Sequence, residues 1–319
     1  MRERHTPTLR ELLTIIGLVL ILATMLIPLA THERERSVDA LCAFRFRQVA
    51  FAVLIYSEDY DKTMPLTQYG ASFEGAGNCE DRLLAQLLMP YVLNWLMFRC
   101  PADRNATNAI LSACLQIGET PPAQACVREY RWALRTNLGY NYAYLAPIMR
   151  GWSGYYVAPV SRAQIGTPAA TVLFVDSVYW RDPTTREPLC GGNWVVMPPC
   201  RLYRNAAGQL VDTFTAVRRE CDQGRARGWY DYQSNSCSPL ARPACWRLNT
   251  AVGWYTWMEF GGAFPHHQNR QRMTVAFVEG HVKQMTPPEL AIGCDLRPQC
   301  GGFVLSPEAY LWDLDDYPL

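Results

Sequence analysis

The chain has 319 residues, of which 49% are hydrophobic and 18% charged, and its 30 basic and 29 acidic side chains give a formal net charge of +1. A balance this close to neutral excludes the strongly basic field that nucleic-acid binding requires. The length is ample for a sizeable buried core.

In chain order, the first feature is the run from Leu12 to Ala30, which carries no charge. A helix rising 1.5 Å per residue needs about 20 such residues to cross a ~30 Å hydrocarbon core, so this segment reads as a transmembrane helix. Arg2, Arg4 and Arg10 precede it, and no small-x-small site follows it, so removal behind the apolar run is not expected. Glu11 stands at its mouth, where a carboxylate can reach headgroup water. Arginines flank the run on both sides, so charge does not settle its orientation.

From Thr31 to Met64 no Gly or Pro interrupts the chain. Val38, Cys42, Phe46, Val49, Val53 and Tyr56 recur at spacings of three and four and predict one apolar helical stripe. Leu41, Phe44, Phe51 and Ile55 widen that stripe, so the helix is expected to be covered on two sides. The acidic run Glu58, Asp59, Asp61 lacks the glycine and distal glutamate of a calcium loop and reads as a solvated helix end.

Farther on, Thr171 to Val175 is a β-branched run of strand length. Met273 to Val278 alternates into the turn Glu279-Gly280, and His281 to Met285 returns as a hairpin. Between these strands, residues 181–263 hold Cys190, Cys200, Cys221, Cys237 and Cys245 and the aromatic string Trp229, Tyr230, Tyr232, Trp246, Trp254, Tyr255, Trp257. An insertion this long needs staples, so its disulfides are expected within it. Its aromatics fill a subdomain core or offer flat faces to a glycan or protein ligand.

The remaining cysteines are Cys42, Cys79, Cys100, Cys114, Cys126, Cys294 and Cys300, twelve in all, every one beyond the apolar run and none in a C-x-x-C pair. An even, dispersed set reads as disulfides in an oxidising compartment, with the head outside the cytoplasm. Of the five histidines, only His266, His267 and His281 could act together. With Glu279, His267 and His281 have ligand chemistry for zinc, but the strand sets His281 beside Val278 and far along the chain from His267. Turn-stabilising hydrogen bonds are therefore the expectation, with no metal and no other cofactor. GWSGY (151 to 155) misses the G-x-S-x-G nucleophile pattern by one position, and no paired-carboxylate site or phosphate loop stands out, so no catalytic residue is assigned.

The segment TLRELL (8 to 13), leading directly into an apolar helix, resembles the N-terminal cleavage and methylation segment of type IV pilins and type II secretion pseudopilins. That resemblance implies a processing cut between Thr6 and Pro7, where the family has Gly and an aromatic residue. It also implies that Glu11 neutralises the N-terminal amine of a neighbouring subunit, and that Pro28 occupies the place of a helix-kinking proline. Four later segments narrow the likeness: LLMPYVLNWLMFRCPADRN (87 to 105), LGYNYAYL (138 to 145), IGTPAATVLFVDS (165 to 177) and HHQNRQRMTVAFVEGHVKQM (266 to 285). Together they resemble the large pilin-like proteins of planctomycete-type bacteria, with a C-terminal His…Asp-Gly-His signature that here has Glu279 for Asp and a longer spacing.

The resemblance implies an α+β, pilin-like fold: a long N-terminal helix, transmembrane half plus amphipathic half, packed on an antiparallel β-sheet head with a disulfide-rich insertion. The divisions expected are a cytoplasmic leader at 1–6, a transmembrane half at 7–30, an extracytoplasmic half at 31–60 and a globular head at 61–319, with the insertion at 181–263. The function implied is a structural subunit of a type IV pilus-like or pseudopilus filament, anchored in the cytoplasmic membrane by a single pass. Its partners would be itself or other pilin-like subunits, membrane lipid, a prepilin peptidase and an assembly platform, with no nucleic acid. The alternative is an unpolymerised, membrane-tethered binding protein. The family commonly carries cysteines at the places of Cys42 and Cys100, which implies a bridge between them.

Overall fold

The computed structural model describes residues 8–69, 82–103, 125–151, 154–178, 180–181, 188–189, 191–204, 207–208, 210–212, 220–221, 226–227, 230–231, 236–237, 260–296 and 302–314. Helix α1 (Leu9–Asp59) has 51 residues, roughly 76 Å at 1.5 Å per residue. It opens with a capping box: the Glu11 carboxylate accepts the Thr8 N–H at 2.8 Å and the Thr8 hydroxyl accepts the Glu11 N–H at 3.4 Å. Two otherwise orphaned donors are thereby satisfied within the chain. Beyond its other end, Asp61 and Lys62 take φ of 50° and 60° and turn the chain into the head.

Helices α2 (Leu84–Val92) and α3 (Ala125–Ala133) follow. The main strands are β1 (Leu138–Tyr140), β2 (Val172–Asp176), β3 (Cys200–Arg204), β4 (Leu210–Asp212), β5 (Met273–Phe277), β6 (Val282–Met285), β7 (Cys294–Asp295) and β8 (Gly302–Val304). One antiparallel sheet runs in the order β6-β5-β2-β1, with Val275 opposite both Val175 and Lys283. A second sheet runs β4-β3-β8-β7 and contains the parallel pair β8-β3. The other described strands form short two-stranded ladders.

The core lies where α1 crosses β5, β6 and β2. Cys42, Phe46, Val49, Ala50 and Val53 of α1 are fully buried there, together with every residue of β2 and β5. The hairpin turn between β5 and β6 is pressed against α1. Gly280 has φ +101°, and a Cβ on it would stand 3.1 Å from the Phe51 ring. Gly280→Ala is therefore expected to cost about 1–2 kcal/mol from the left-handed backbone and the displaced ring. A denaturant midpoint unchanged from wild type would contradict this placement.

The expected fold is corrected on three points. Among the described residues, no helix is long and apolar enough to cross a membrane. A transmembrane half and a single-pass placement with an extracytoplasmic head are therefore not supported. Second, the head is not simply antiparallel: the second sheet is mixed, and among the described residues the burial of α1 begins at Cys42. Third, the insertion is not a self-contained stapled unit. Cys200 bridges out of it to Cys294, Cα to Cα 5.9 Å, and residues 191–200 are buried in the core beside β1. There the Val196 N–H bonds Tyr140 O at 3.0 Å and the Tyr140 N–H bonds Trp194 O at 3.1 Å.

Candidate functional site

Where α1 meets the head, four side chains from distant parts of the chain converge. Cys42 projects from the buried stripe of α1, and Cys100 follows the 3-10 turn Trp95–Phe98. Asp176 ends β2, and His267 sits in the loop before β5. Their ligand atoms all lie within 4.8 Å of one another, and all four residues are buried. Cys42 Sγ is 2.8 Å from Cys100 Sγ, and Cys100 Sγ is 3.2 Å from His267 Nε2. His267 Nε2 is 3.1 Å from Asp176 Oδ2, and Cys42 Sγ is 3.7 Å from Asp176 Oδ1.

Each member is oriented by further bonds. His267 Nδ1 lies 2.6 Å from Asp39 Oδ1 on α1. Asp176 Oδ2 accepts the Thr274 N–H at 2.6 Å, while the Thr274 hydroxyl reaches Cys42 Sγ at 3.3 Å and accepts from Gln284 Nε2 at 2.9 Å. The Cys100 N–H donates to Asn137 Oδ1 at 3.0 Å. The His267 loop is closed by its own backbone, His267 N–H to Arg272 O at 2.9 Å, around three successive left-handed residues, Gln268, Asn269 and Arg270. Non-glycine residues adopt that conformation rarely, and a run of three marks a loop over-determined by its surroundings.

The charges follow from this geometry. Burial pushes the Cys42 thiol up to about 11, despite the hydrogen bond with Cys100, and drives the Cys100 thiol well above its ordinary value. Burial also works against a charged imidazole, yet the Asp176 carboxylate, by charge and hydrogen bond, lifts His267 to about 11. In return the His267 charge outweighs burial and holds Asp176 below the usual carboxylate range. Without a cation, His267 is an imidazolium held by Asp39 and Asp176, next to two neutral thiols. The donor set of two sulfurs, one imidazole and one carboxylate could also hold a transition metal. On the outer side of the His267 loop, Arg34, Asp39, Pro101, Phe264 and His266 help to line a cavity of about 390 Å³ that reaches His267.

The other residues singled out in the sequence fall as follows. Cys42 and Cys100 are brought together, but as free thiols rather than the bridge implied by the resemblance. Of the three zinc candidates only His267 reaches the cluster. Glu279 is exposed in the hairpin turn, and His281 stacks on Phe277 with centroids 4.4 Å apart. Glu11 is engaged with Thr8, whose N–H and hydroxyl hold its carboxyl below the usual range. Thr6 and Pro7 lie outside the described residues, and Pro28 lies within α1 without a described side chain. Cys126 is disulfide-bonded, as are Cys200 and Cys294. Cys79, Cys114, Cys190, Cys245 and Cys300 lie outside the described residues, and of Cys221 and Cys237 only the backbone is described. The aromatic string lies outside them too, save the strand position of Tyr230.

Asp176, Asp39, Thr274 and Asn137 were not singled out from sequence as site residues. Asp176 did stand inside the segment VLFVDS, but nothing in a single chain links it to a cysteine 134 positions earlier. No protein-family model, curated protein or solved structure matches this chain.

Proposed function

We propose that the chain is a structural subunit of a pilus-type or pseudopilus-type filament, assembled by packing the N-terminal half of α1 against that of neighbouring copies. One observation carries the reading: the first turns of α1 project with Leu13 60%, Ile16 47% and Leu20 60% exposed, and Leu12, Ile15, Val19 and Leu22 on other sides of the helix are comparably bare. A helix that is apolar all round must be covered by something. Each Leu or Ile side chain withdrawn from water contributes about 1.5–3 kcal/mol, so several such contacts per neighbour suffice for association.

A second copy is the natural cover, because the same segment offers apolar surface on every side and can meet more than one neighbour. When one level of a helix meets a different level of the next, the contact does not close on itself, and repetition yields an open filament. The resemblance of TLRELL and the four later segments to pilin-like proteins supports the same reading. A prepilin peptidase and an assembly platform belong to the proposal on that ground.

Light scattering and electron microscopy of the purified full chain test it. The wild type should form species far larger than a monomer in detergent-free buffer. Leu13→Asp with Ile16→Asp and Leu20→Asp should be monomeric, with the head's unfolding transition unchanged. A wild-type chain that stays monomeric, or a triple variant that assembles normally, contradicts the proposal.

A further inference from the structure

We propose that Cys42, Cys100, Asp176 and His267 form a buried metal site of the zinc class that fastens α1 to the head. Two thiolates, an imidazole and a carboxylate make a borderline donor set of the kind that Zn²⁺ binds tetrahedrally. With metal–ligand bonds of ~2.0–2.3 Å, such a tetrahedron has edges of roughly 3.3–3.8 Å. The edges here are 2.8 Å between the sulfurs, 3.2 Å from Cys100 Sγ to His267 Nε2, 3.1 Å from there to Asp176 Oδ2 and 3.7 Å from Asp176 Oδ1 to Cys42 Sγ. One ligand atom from each residue can be chosen so that all four lie within 4.8 Å of one another, and the sulfur–sulfur edge opens by about 1 Å to accept an ion.

The groups around the cluster are arranged as a metal requires. Asp39, 2.6 Å from His267 Nδ1, keeps the proton on that nitrogen and leaves the Nε2 lone pair for the centre. The Thr274 N–H steadies the Asp176 carboxylate, and Asn137 holds the backbone of Cys100. As the metal–sulfur and metal–nitrogen bonds form, the two thiol protons and the Nε2 proton leave to solvent. A bridge between Cys42 and Cys100 would employ two of the four groups and leave Asp176 and His267 as an ion pair with each other. An ion employs all four.

The set is closed, with four protein donors and no open position, so the site is structural rather than catalytic. Its ligands come from α1, the loop after Trp95–Phe98, the end of β2 and the loop before β5. One ion therefore ties the helix to three parts of the head. The cavity lined in part by His267 lies beside the cluster. This site stands whether or not α1 packs with neighbouring copies.

The test uses the full chain, loaded with Zn²⁺ under mild reduction, passed through a desalting column and assayed for metal by mass spectrometry. About one zinc per chain is expected, lost in Cys42→Ser and in His267→Gln. Because those variants risk misfolding, Asp39→Asn, at the edge of the cluster, supplies a second reading: it should keep the fold and weaken zinc retention about 10- to 100-fold in a chelator competition. Cobalt loading of the wild type should show thiolate-to-metal charge-transfer absorption that Cys100→Ser diminishes. Zinc absent from the folded wild type, zinc retained undiminished in Cys42→Ser, or peptide mapping that recovers Cys42 joined to Cys100 after loading would each overturn the assignment.

Discussion

Replacing Phe46 with alanine should lower the free energy of unfolding by about 3–5 kcal/mol, a large part of what holds a single domain together. Phe46 is fully buried on the face of α1 that meets the head, one helical turn from Cys42 on one side and from Val49 and Ala50 on the other, all fully buried. The site cannot readily collapse, because the sheet beneath it is closed by the fully buried strands β2 and β5. Phe44, two residues away, is 50% exposed, and Phe44→Ala should move stability by less than about 0.5 kcal/mol. Urea titrations of the two variants measure both values. Equal effects would mean that the helix is rotated from the position described.

That contrast also marks what a sequence can and cannot disclose. The stripe Val38, Cys42, Phe46, Val49, Val53, Tyr56 is legible because a 3.6-residue repeat puts these positions on one face, and the last five are buried. The hairpin is legible for a similarly local reason: alternation in Met273 to Phe277 and a glycine at the turn. The length of uncharged chain from Leu12 to Ala30 is local information too, and on length alone it predicts a membrane crossing. Hydropathy reports that a helix must be covered and not what covers it. The bridge from Cys200 to Cys294 was missed because pairing depends on which strands are neighbours. Strand β3 lies two places from β7 across the parallel partner β8, a relation with no signature in spacing. The cluster failed to emerge from the sequence on the same ground. In sequence its histidine stands near Glu279 and His281. Its true companions are 228 positions away at Asp39 and 167 away at Cys100.

Asn137→Ala should prove as disruptive as the loss of Phe46, although it removes no apolar surface. The Asn137 carboxamide is fully buried and works in two directions. Its oxygen accepts the Cys100 N–H at 3.0 Å, and its nitrogen donates to Asp103 Oδ2 at 2.9 Å and to Ser177 O at 3.3 Å. Through its backbone it also donates to Phe98 O at 2.9 Å and accepts the Ser177 N–H at 2.8 Å. The side chain is thus a clasp between the FRCPAD segment and the end of β2, the two places that supply Cys100 and Asp176 to the cluster. Truncation leaves the Cys100 N–H without that acceptor and takes a donor from the buried Asp103 carboxylate. At about 1–3 kcal/mol for each of these two lost bonds, the loss is roughly 2–6 kcal/mol. Asn137→Asp keeps the acceptor for Cys100 but turns the nitrogen end into a carboxylate against Asp103, so it should be no better than alanine near neutral pH and should recover as the pH falls and the new acid is protonated. Asn137→Ala with a wild-type midpoint, or Asn137→Asp more stable than alanine at neutral pH, would show that water rather than this carboxamide holds the two segments together.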